Sequence, residues 1–518
     1  MPTPESEPAK PVSGLTNSVA NVLGLLIPLA VFFFVTPTIV RGFGAAHFGV
    51  LTLFLTSLVL LTSFDFGLSA GGVRSLGSAL HAGGQQKLRE IVQELWSAYF
   101  FLGLSSALIL LIFRQASWEI FGLEAVLAAG FGSYALPLSV FFGFCSMACT
   151  AVFRAKESFV RLTVIQVFYG TASWLGVAAC ARLGWMLDWA LLWWAAMGAA
   201  SFVTLAWRAD RLAGGLVWLP HFRFVEIRRS LSYNLHAFGS QLAAGATYHA
   251  DKFLISYFLG TVSVGYYGLA SSLSTKLLSL VAAMAGFVFP RSVRMFAADD
   301  VVGLRETYIR STRYVLLISW PMLIVALLLG GEFLRLWVGA EFAEKMVDVF
   351  LLLLVSYFLT SLSVVASQVF NGIGNSRVGA IFSSLGAVIN LVACLIFIPR
   401  WGLLGAALAS VLSMAQVFGY THALHRRLEL GRFPFIGLWS NLLVIGMLQA
   451  TLLWFSRSWA TGWWSLLALG IVGWVFFYAV WFFFRLADEG DRSVAHRLWR
   501  LVWQRIKGLM SIFIRGRQ

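Results

Sequence analysis

Ionisable side chains inside long apolar runs are the groups of this chain that could do chemistry. Lys276 lies about twelve residues into the apolar run 264–290, about 18 Å along a helix and close to the middle of the run. A charge at membrane depth costs several kcal/mol unless it faces water or a partner, so such residues are functional candidates. From mid-membrane, the lysine stem does not comfortably reach either interface. We therefore expect Lys276 to face a water-filled lumen and to bind an anionic group.

A second group of candidates lies on the seventh apolar run. Asp251 and Lys252 are adjacent about eight residues before its end, and Asn234, Gln241 and Tyr248 precede them. Gln241, Tyr248 and Asp251 fall near one helical stripe, at spacings of seven and three, which predicts a polar face turned to a cavity. The alternative is that Lys252 extends to the nearer interface while Asp251 pairs with a neighbouring cation.

Arg74 and Arg291 end two apolar runs at equivalent places, and Asp65 precedes the first of them. The arginines are candidate substrate contacts, with anchoring by positive charge at the membrane surface as the alternative. Asp65 and Asp251 are candidates for coupling to Na⁺ or H⁺. No metal site is predicted, because the i,i+3 pair of histidines at 422 and 425 adjoins two arginines in a basic loop.

The composition identifies the elements that must position these groups. Of the 518 residues, 59% are hydrophobic and only 12% are charged, and mean hydropathy is +0.81. A soluble chain carries about a quarter charged residues, so a soluble domain is excluded. The apolar runs are continuous over about twenty residues, whereas barrel strands alternate over about ten. The sequence therefore predicts an all-α polytopic membrane protein.

About fourteen apolar runs are long enough to cross a bilayer as helices. If the N-terminus is cytoplasmic, Lys and Arg on the inner side outnumber those on the outer side by about four to one. This bias predicts that both termini are cytoplasmic. It also explains most of the net charge of +15 without nucleic acid as a partner. The runs are 18–40, 48–70, 94–113, 125–150, 159–181, 186–207, 234–259, 264–290, 314–334, 346–370, 378–398, 402–421, 435–455 and 463–484.

The chain also contains an internal repeat of about 217 residues. Gly44 pairs with Gly260, Gly49 with Gly265, Arg74 with Arg291, and Gly184 with Gly402, each at offsets of about 216 to 218. Six spans per unit make both copies face the same way, related by an axis along the membrane normal with a cleft between them. The sequence thus predicts two six-helix bundles in a parallel pseudo-two-fold repeat, with two extra C-terminal helices.

The predicted organisation has six parts, and the last of them places apolar residues at helical spacing among arginines. That segment is expected to lie on the anionic inner leaflet, with binding to a partner protein as the alternative. The parts are a cytoplasmic tail 1–17, an N-terminal bundle 18–207, a basic linker 208–233, a C-terminal bundle 234–424, two further spans in 435–484 and a basic amphipathic tail 485–518. Repeated bundles without a phosphate loop, an HExxH motif or a large insertion predict a transporter rather than an enzyme.

Two long segments carry a resemblance to a known family. Residues 41–74, RGFGAAHFGVLTLFLTSLVLLTSFDFGLSAGGVR, and residues 234–267, NLHAFGSQLAAGATYHADKFLISYFLGTVSVGYY, resemble signatures of the polysaccharide-transport family. That family belongs to the multidrug/oligosaccharidyl-lipid/polysaccharide (MOP) superfamily and includes the Wzx-type O-antigen flippases. FRAKESF at 153–159 and FNGIGNSR at 370–377 resemble its inner loops. The charged signature of the related peptidoglycan lipid flippase is not evident near the N-terminus, which disfavours lipid II as the substrate.

The resemblance implies a flippase of the bacterial inner membrane. It would move an undecaprenyl-diphosphate-linked oligosaccharide to the periplasmic leaflet by alternating access, for export of O-antigen, capsule or exopolysaccharide. The implied partners are that polyprenyl-diphosphate-linked oligosaccharide, membrane lipids and, as candidates, a polysaccharide polymerase and glycosyltransferases, without a cofactor or nucleic acid. The family's acidic residue in span 7 falls on Asp251, and its cavity cations fall on Lys252 and Lys276.

Two other functions remain open from the sequence. A cation-coupled exporter of small amphipathic drugs from the same superfamily would be expected to hold several acidic groups, and here only Asp65 and Asp251 are candidates. A membrane subunit that anchors a polysaccharide synthase is the third possibility. The repeat and the mid-membrane Lys276 argue against that subunit.

Overall fold

The computed structural model describes residues 14–82, 84–113, 130–213, 215, 218–220, 231–430, 435–484 and 486. In these residues the chain forms α-helices and two short 3₁₀-helices and has no strand. The α-helices are α1 (Gly14–Thr62), α2 (Leu68–Ala82), α3 (Gly84–Ile112), α4 (Ala135–Ala155), α5 (Phe159–Arg182), α6 (Leu187–Ala213), α7 (Leu231–Ala285), α8 (Val288–Ala297), α9 (Val301–Val338), α10 (Ala340–Gly372), α11 (Ser376–Ser413), α12 (Ala415–Arg427), α13 (Ile436–Ser456) and α14 (Trp463–Phe483).

Eleven helical stretches in the described residues are long and apolar enough to cross a membrane. Three of the long helices are broken at a glycine: Gly44 in α1, Gly260 in α7 and Gly402 in α11 have non-helical torsion angles. The all-α, multi-pass architecture is therefore confirmed. The count of fourteen spans stays a prediction. The tails 1–13 and 487–518, with the amphipathic segment, lie outside the described residues.

The repeat predicted from sequence is visible in the backbone. Gly44 has φ 73° and ψ 177°, and its partner Gly260 has φ 79° and ψ 172°. Gly184 and Gly402 also share positive φ, at 70° and 58°. These left-handed angles favour glycine, which lacks the Cβ that would clash. The same local break therefore occurs at equivalent places in the two halves.

The two halves meet at a second pair of glycines. A Cβ at Gly49 in α1 would collide with the backbone carbonyl of Thr261 in α7, and a Cβ at Gly265 would collide with that of Ala45. Ala45 and Thr261 are themselves 216 residues apart. The contact is thus exchanged symmetrically, as expected if the pseudo-two-fold axis passes between Gly49 and Gly265.

We call the end of the bundle that holds Gly44, Gly184, Gly260, Gly339 and Gly402 the glycine end, since a positive-φ glycine marks a turn or break at each of these places. Within the first half, α4 packs against α3 and α6, and α5 against α1 and α6. Within the second, α7 packs against α10 and α11. The helices α13 and α14 pack against α9 and against each other.

Two hydrogen bonds also join the two halves, between α1 and α9. The Trp337 indole Nε1 donates to the backbone carbonyl of Phe33 at 2.7 Å, and Arg41 Nη2 donates to the carbonyl of Trp337 at 3.4 Å. The Trp337 ring lies 5.6 Å from the Phe32 ring and 5.5 Å from the Phe333 ring. Polar and aromatic contacts together hold the first helix against the second half.

Candidate functional site

Lys276 lies in a deep apolar groove. Its Nζ is 5.5 Å from the centroid of the Phe32 ring of α1, within the range of a cation–π contact. The groove has a volume of about 690 Å³ between α1, α7, α9, α10 and α14, and apart from Lys276 its lining is hydrophobic or glycine. We call it the lysine groove. Its lining includes Leu29, Phe33, Lys276, Met322, Phe350 and Trp474.

Asp251 and Lys252 form a separate buried pair within α7. Lys252 Nζ is 3.5 Å from Asp251 Oδ1, and both side chains are less than a tenth exposed. The Tyr267 hydroxyl donates to Asp251 Oδ2 at 2.6 Å and lies 3.2 Å from Ser410 Oγ of α11. The carboxylate therefore has a charged partner and a hydroxyl donor, as a buried charge requires.

Asp65 lies in the turn between α1 and α2. Its Oδ1 accepts the backbone N–H of Gly67 at 2.8 Å, and its Oδ2 accepts that of Ser69 at 3.0 Å. The Tyr99 hydroxyl of α3 donates to Oδ2 at 3.3 Å. These donors make Asp65 a capping residue for the start of α2 and account for its complete burial.

The structure does not bring the remaining predicted residues into one described site. Arg291 is exposed on α8. Arg74 lies on α2 and Asn234, Gln241 and Tyr248 lie on α7, but the side chains of all four fall outside the described residues.

A hydroxyl-rich cavity in the first half was not predicted from the sequence. It has a volume of about 520 Å³ and lies among α1, α2, α4, α5 and α6. Gln166, Trp194 and Arg154 line it together with hydroxyl side chains. The signal was a stripe on α4, where residues 139, 146 and 150 are spaced by seven and four. We call it the hydroxyl cavity, and its hydroxyl residues are Thr62, Ser69, Ser139, Ser146, Thr150 and Ser201.

A third space adjoins the hydroxyl cavity. It has a volume of about 650 Å³ and is lined by α1 at Gly24 and Pro28, by α5 at Gln166 and Thr171, and by α7 at Ala283. Gln166 lines both spaces, so they lie next to each other at this residue. We call this space the bridging cavity, because it reaches from the first half to α7.

Two similar halves built from helices long enough to cross a membrane define a multi-pass, all-α membrane protein with an internal repeat. The fold is similar to that of a lipid II flippase MurJ in an inward closed conformation, with a TM-score of 0.73 at 12% identity over 92% of this chain and 100% of that one. It is also similar to an inward-facing multidrug resistance MATE family transporter of the MOP superfamily. The TM-score is 0.64 at 15% identity over 79% of this chain and 98% of that one. These likenesses establish the fold.

The sequence comparison gives the family. A family model described as "Polysaccharide biosynthesis protein" matches residues 44–348, more than half of the chain, and the chain belongs to this family. An alignment with a Shigella flexneri protein named "Putative O-antigen transporter" has 23% identity and covers 77% of this chain and 94% of that protein. An alignment with a Haloferax volcanii protein named "Probable low-salt glycan biosynthesis flippase Agl15" has 22% identity and covers 78% of this chain and 80% of that protein.

The resemblance to the polysaccharide-transport family is therefore confirmed, and so is the prediction of a transporter rather than an enzyme. The chain is a multi-pass membrane transporter of polysaccharide biosynthesis.

Proposed function

We propose that this protein flips an undecaprenyl-diphosphate-linked oligosaccharide from the cytoplasmic to the periplasmic leaflet of the bacterial inner membrane by alternating access. The observation that carries this proposal is the lysine groove, in which one cation lies within an apolar lining. A polyprenyl diphosphate has the complementary chemistry, since it joins a long apolar tail to a compact anionic group.

The charge, rather than the apolar wall, gives the groove its selectivity. Lipid tails are as apolar as the groove, so moving a polyprenyl tail from the bilayer into it gains little hydrophobic free energy. Lys276, by contrast, is half-buried, and no carboxylate pairs with it among the described residues. Its desolvation is costly at this depth, and a diphosphate oxygen would offset that cost by a charge-assisted hydrogen bond.

Alternating access is supported by the symmetric contact of the two halves. The close approach of Gly49 and Gly265 brings α1 and α7 together towards the glycine end. The positive-charge bias assigns that end to the periplasm and both termini to the cytoplasm. In this proposal, the present arrangement is closed to the periplasm, and the bundles 18–207 and 234–424 are the bodies that move.

The other candidate residues have proposed roles in the same cycle. Asp251 and Asp65 would couple transport to Na⁺ or H⁺, and at Asp251 a bound cation would replace Lys252 beside Oδ1. Lys252 would then be free to turn to the substrate. The further proposed substrate contacts are Arg74, Arg291, Asn234, Gln241 and Tyr248, and a polysaccharide polymerase and glycosyltransferases are the proposed partners.

The test is complementation of a deletion strain, in which a polyprenyl-diphosphate oligosaccharide is expected to accumulate on the cytoplasmic leaflet. Wild type and Lys276→Arg should restore polysaccharide export, whereas Lys276→Ala should reduce it at least tenfold at equal protein level. Lys345→Ala is the matched control, because Lys345 is an exposed lysine outside the groove. Normal export by Lys276→Ala would refute the role of that lysine. Drug sensitivity of the deletion strain without accumulation would favour a drug exporter instead.

A further inference from the structure

We propose that the hydroxyl cavity binds sugars of the lipid-linked glycan beyond the one bonded to the diphosphate, while the diphosphate is held at Lys276. This inference rests on the proposed flippase function and assigns its sugar-binding part. It places the glycan against the first half of the protein and the lipid and diphosphate against the second.

The lining of the hydroxyl cavity fits a sugar better than a cation. Six hydroxyl side chains, the Gln166 amide, the Trp194 indole and the Arg154 guanidinium line it, and no carboxylate is among the described lining residues. Hydroxyls and amides both donate and accept hydrogen bonds, as sugar hydroxyls do. A cation site would call for carboxylate or carbonyl ligands. The volume of about 520 Å³ lies within the usual range for small-molecule sites.

The hydroxyl groups of α4 retain hydrogen-bonding capacity. Ser146 donates to the carbonyl of Phe142 at 2.7 Å, and Thr150 donates to that of Ser146 at 2.9 Å. Each oxygen keeps lone pairs that can accept from a ligand. Ser139 lines the cavity, is only 5% exposed, and its hydroxyl has no hydrogen-bond partner among the described residues. Because the Ser139 oxygen has almost no accessible surface, it belongs to the wall of the cavity, and the sugar contacts are assigned to the other hydroxyls.

The positions of the three spaces along the helices indicate which part of the glycan could reach the hydroxyl cavity. The hydroxyl cavity follows α4 from Ser139 to Arg154, about 22 Å at the helical rise. It adjoins the bridging cavity at Gln166, and the bridging cavity reaches Ala283 of α7. Ala283 lies about 10 Å along that helix from Lys276. The bridging cavity thus separates Lys276 from the hydroxyl cavity, so the hydroxyl cavity would receive sugars further along the glycan and not the sugar bonded to the diphosphate.

The experiment compares lipid probes with and without a sugar. Binding of farnesyl diphosphate, and of farnesyl diphosphate linked to a short oligosaccharide of glucose, galactose or N-acetylglucosamine, is measured on the purified full-length protein in nanodiscs by microscale thermophoresis. We expect at least one sugar-linked probe to bind about tenfold or more tightly than farnesyl diphosphate. Ser146→Ala and Thr150→Val should each weaken the binding of that probe by about three- to tenfold, as expected for a lost hydrogen bond. Both variants should bind farnesyl diphosphate with unchanged affinity.

Thr451→Val is the matched control. Thr451 also donates to the carbonyl four residues before it, at 2.9 Å, but it is exposed on α13. It should leave binding of every probe unchanged. Ser201→Ala on α6 is the second cavity variant if Thr150→Val does not yield folded protein.

The outcomes separate the two proposals. If wild type does not bind farnesyl diphosphate in any form, the flippase proposal fails. If it binds farnesyl diphosphate, and binds no sugar-linked probe more tightly than farnesyl diphosphate, the sugar site is refuted while the flippase proposal stands. A sugar preference that survives the cavity variants also refutes the site.

Discussion

Replacing Gly49 by alanine is expected to separate the two halves towards the glycine end. The added Cβ would collide with the carbonyl oxygen of Thr261, and its next neighbours are the Thr261 carbonyl carbon at 2.9 Å and the Gly265 nitrogen at 3.0 Å. All three are backbone atoms, so no side chain can rotate away. A normal carbon–oxygen contact is about 3.3 Å or longer, which requires α1 and α7 to move apart by more than 1 Å.

The magnitude follows from the cost of overpacking. Inserting one methyl group into a close-packed contact costs about 1–3 kcal/mol. The penalty applies only while the halves touch, so the equilibrium between the closed and open arrangements should shift by about 5- to 150-fold. Gly265→Ala should have a similar effect because its Cβ meets Ala45 in the symmetric contact. The two changes should not be additive, since they act on one contact.

Double electron–electron resonance measures this shift. Spin labels on Met186→Cys and Trp401→Cys report the separation of the halves at the glycine end, where these side chains are 63% and 53% exposed. The four native cysteines are buried, so they should label poorly. Gly437→Ala is the control, because a Cβ there meets no atom within 4 Å. An unchanged distance distribution in folded Gly49→Ala protein would refute the argument that this contact closes the glycine end.

Three further predictions test individual contacts. Tyr267→Phe should lower stability by about 1.5–3 kcal/mol, because Asp251 loses its 2.6 Å hydroxyl donor, and thermal unfolding unchanged from wild type would contradict this. Asp65→Asn should lower stability by about 1–3 kcal/mol if Asp65 has a structural role, because both of its oxygens accept hydrogen bonds and an amide nitrogen cannot, whereas loss of transport at normal stability would favour ion coupling. Trp337→Phe should cost about 0.5–1.5 kcal/mol by removing the 2.7 Å bond to Phe33, and a neutral result would show that ring packing alone holds α1 to α9.

The repeat could be predicted from the sequence because it depends on local backbone needs. At the positive φ of Gly44 and Gly260, any other residue would be strained. The two glycines therefore occur at equivalent positions in the two halves, and the sequence alone shows this. The hydroxyl cavity could not be predicted in this way. Ser146 and Thr150 bond to carbonyls of their own helix, as serine and threonine do in many membrane helices, and only packing determines that they line an open space.

The contact between the two side chains of the buried pair on α7 could not be predicted from helical spacing. Neighbours at i and i+1 point in different directions on a helix, so helical spacing does not predict a contact between Asp251 and Lys252. The long lysine side chain instead turns back, and its Nζ comes within 3.5 Å of Asp251 Oδ1. Burial explains this, because an ammonium group that does not reach the interface is stabilised by the nearest carboxylate.

The two halves differ in the chemistry of the spaces that they line, and this difference arises from features that break the repeat. The position equivalent to Lys276 in the first half is Val59, at an offset of 217, and Val59 lines the hydroxyl cavity. The repeat thus places equivalent positions against two spaces of different chemistry. The helix α14 belongs to neither copy, yet it forms one wall of the lysine groove through Trp474. A lysine in one copy and a helix outside both therefore give a nearly symmetric bundle an apolar groove with one cation on one side and a hydroxyl-lined cavity on the other.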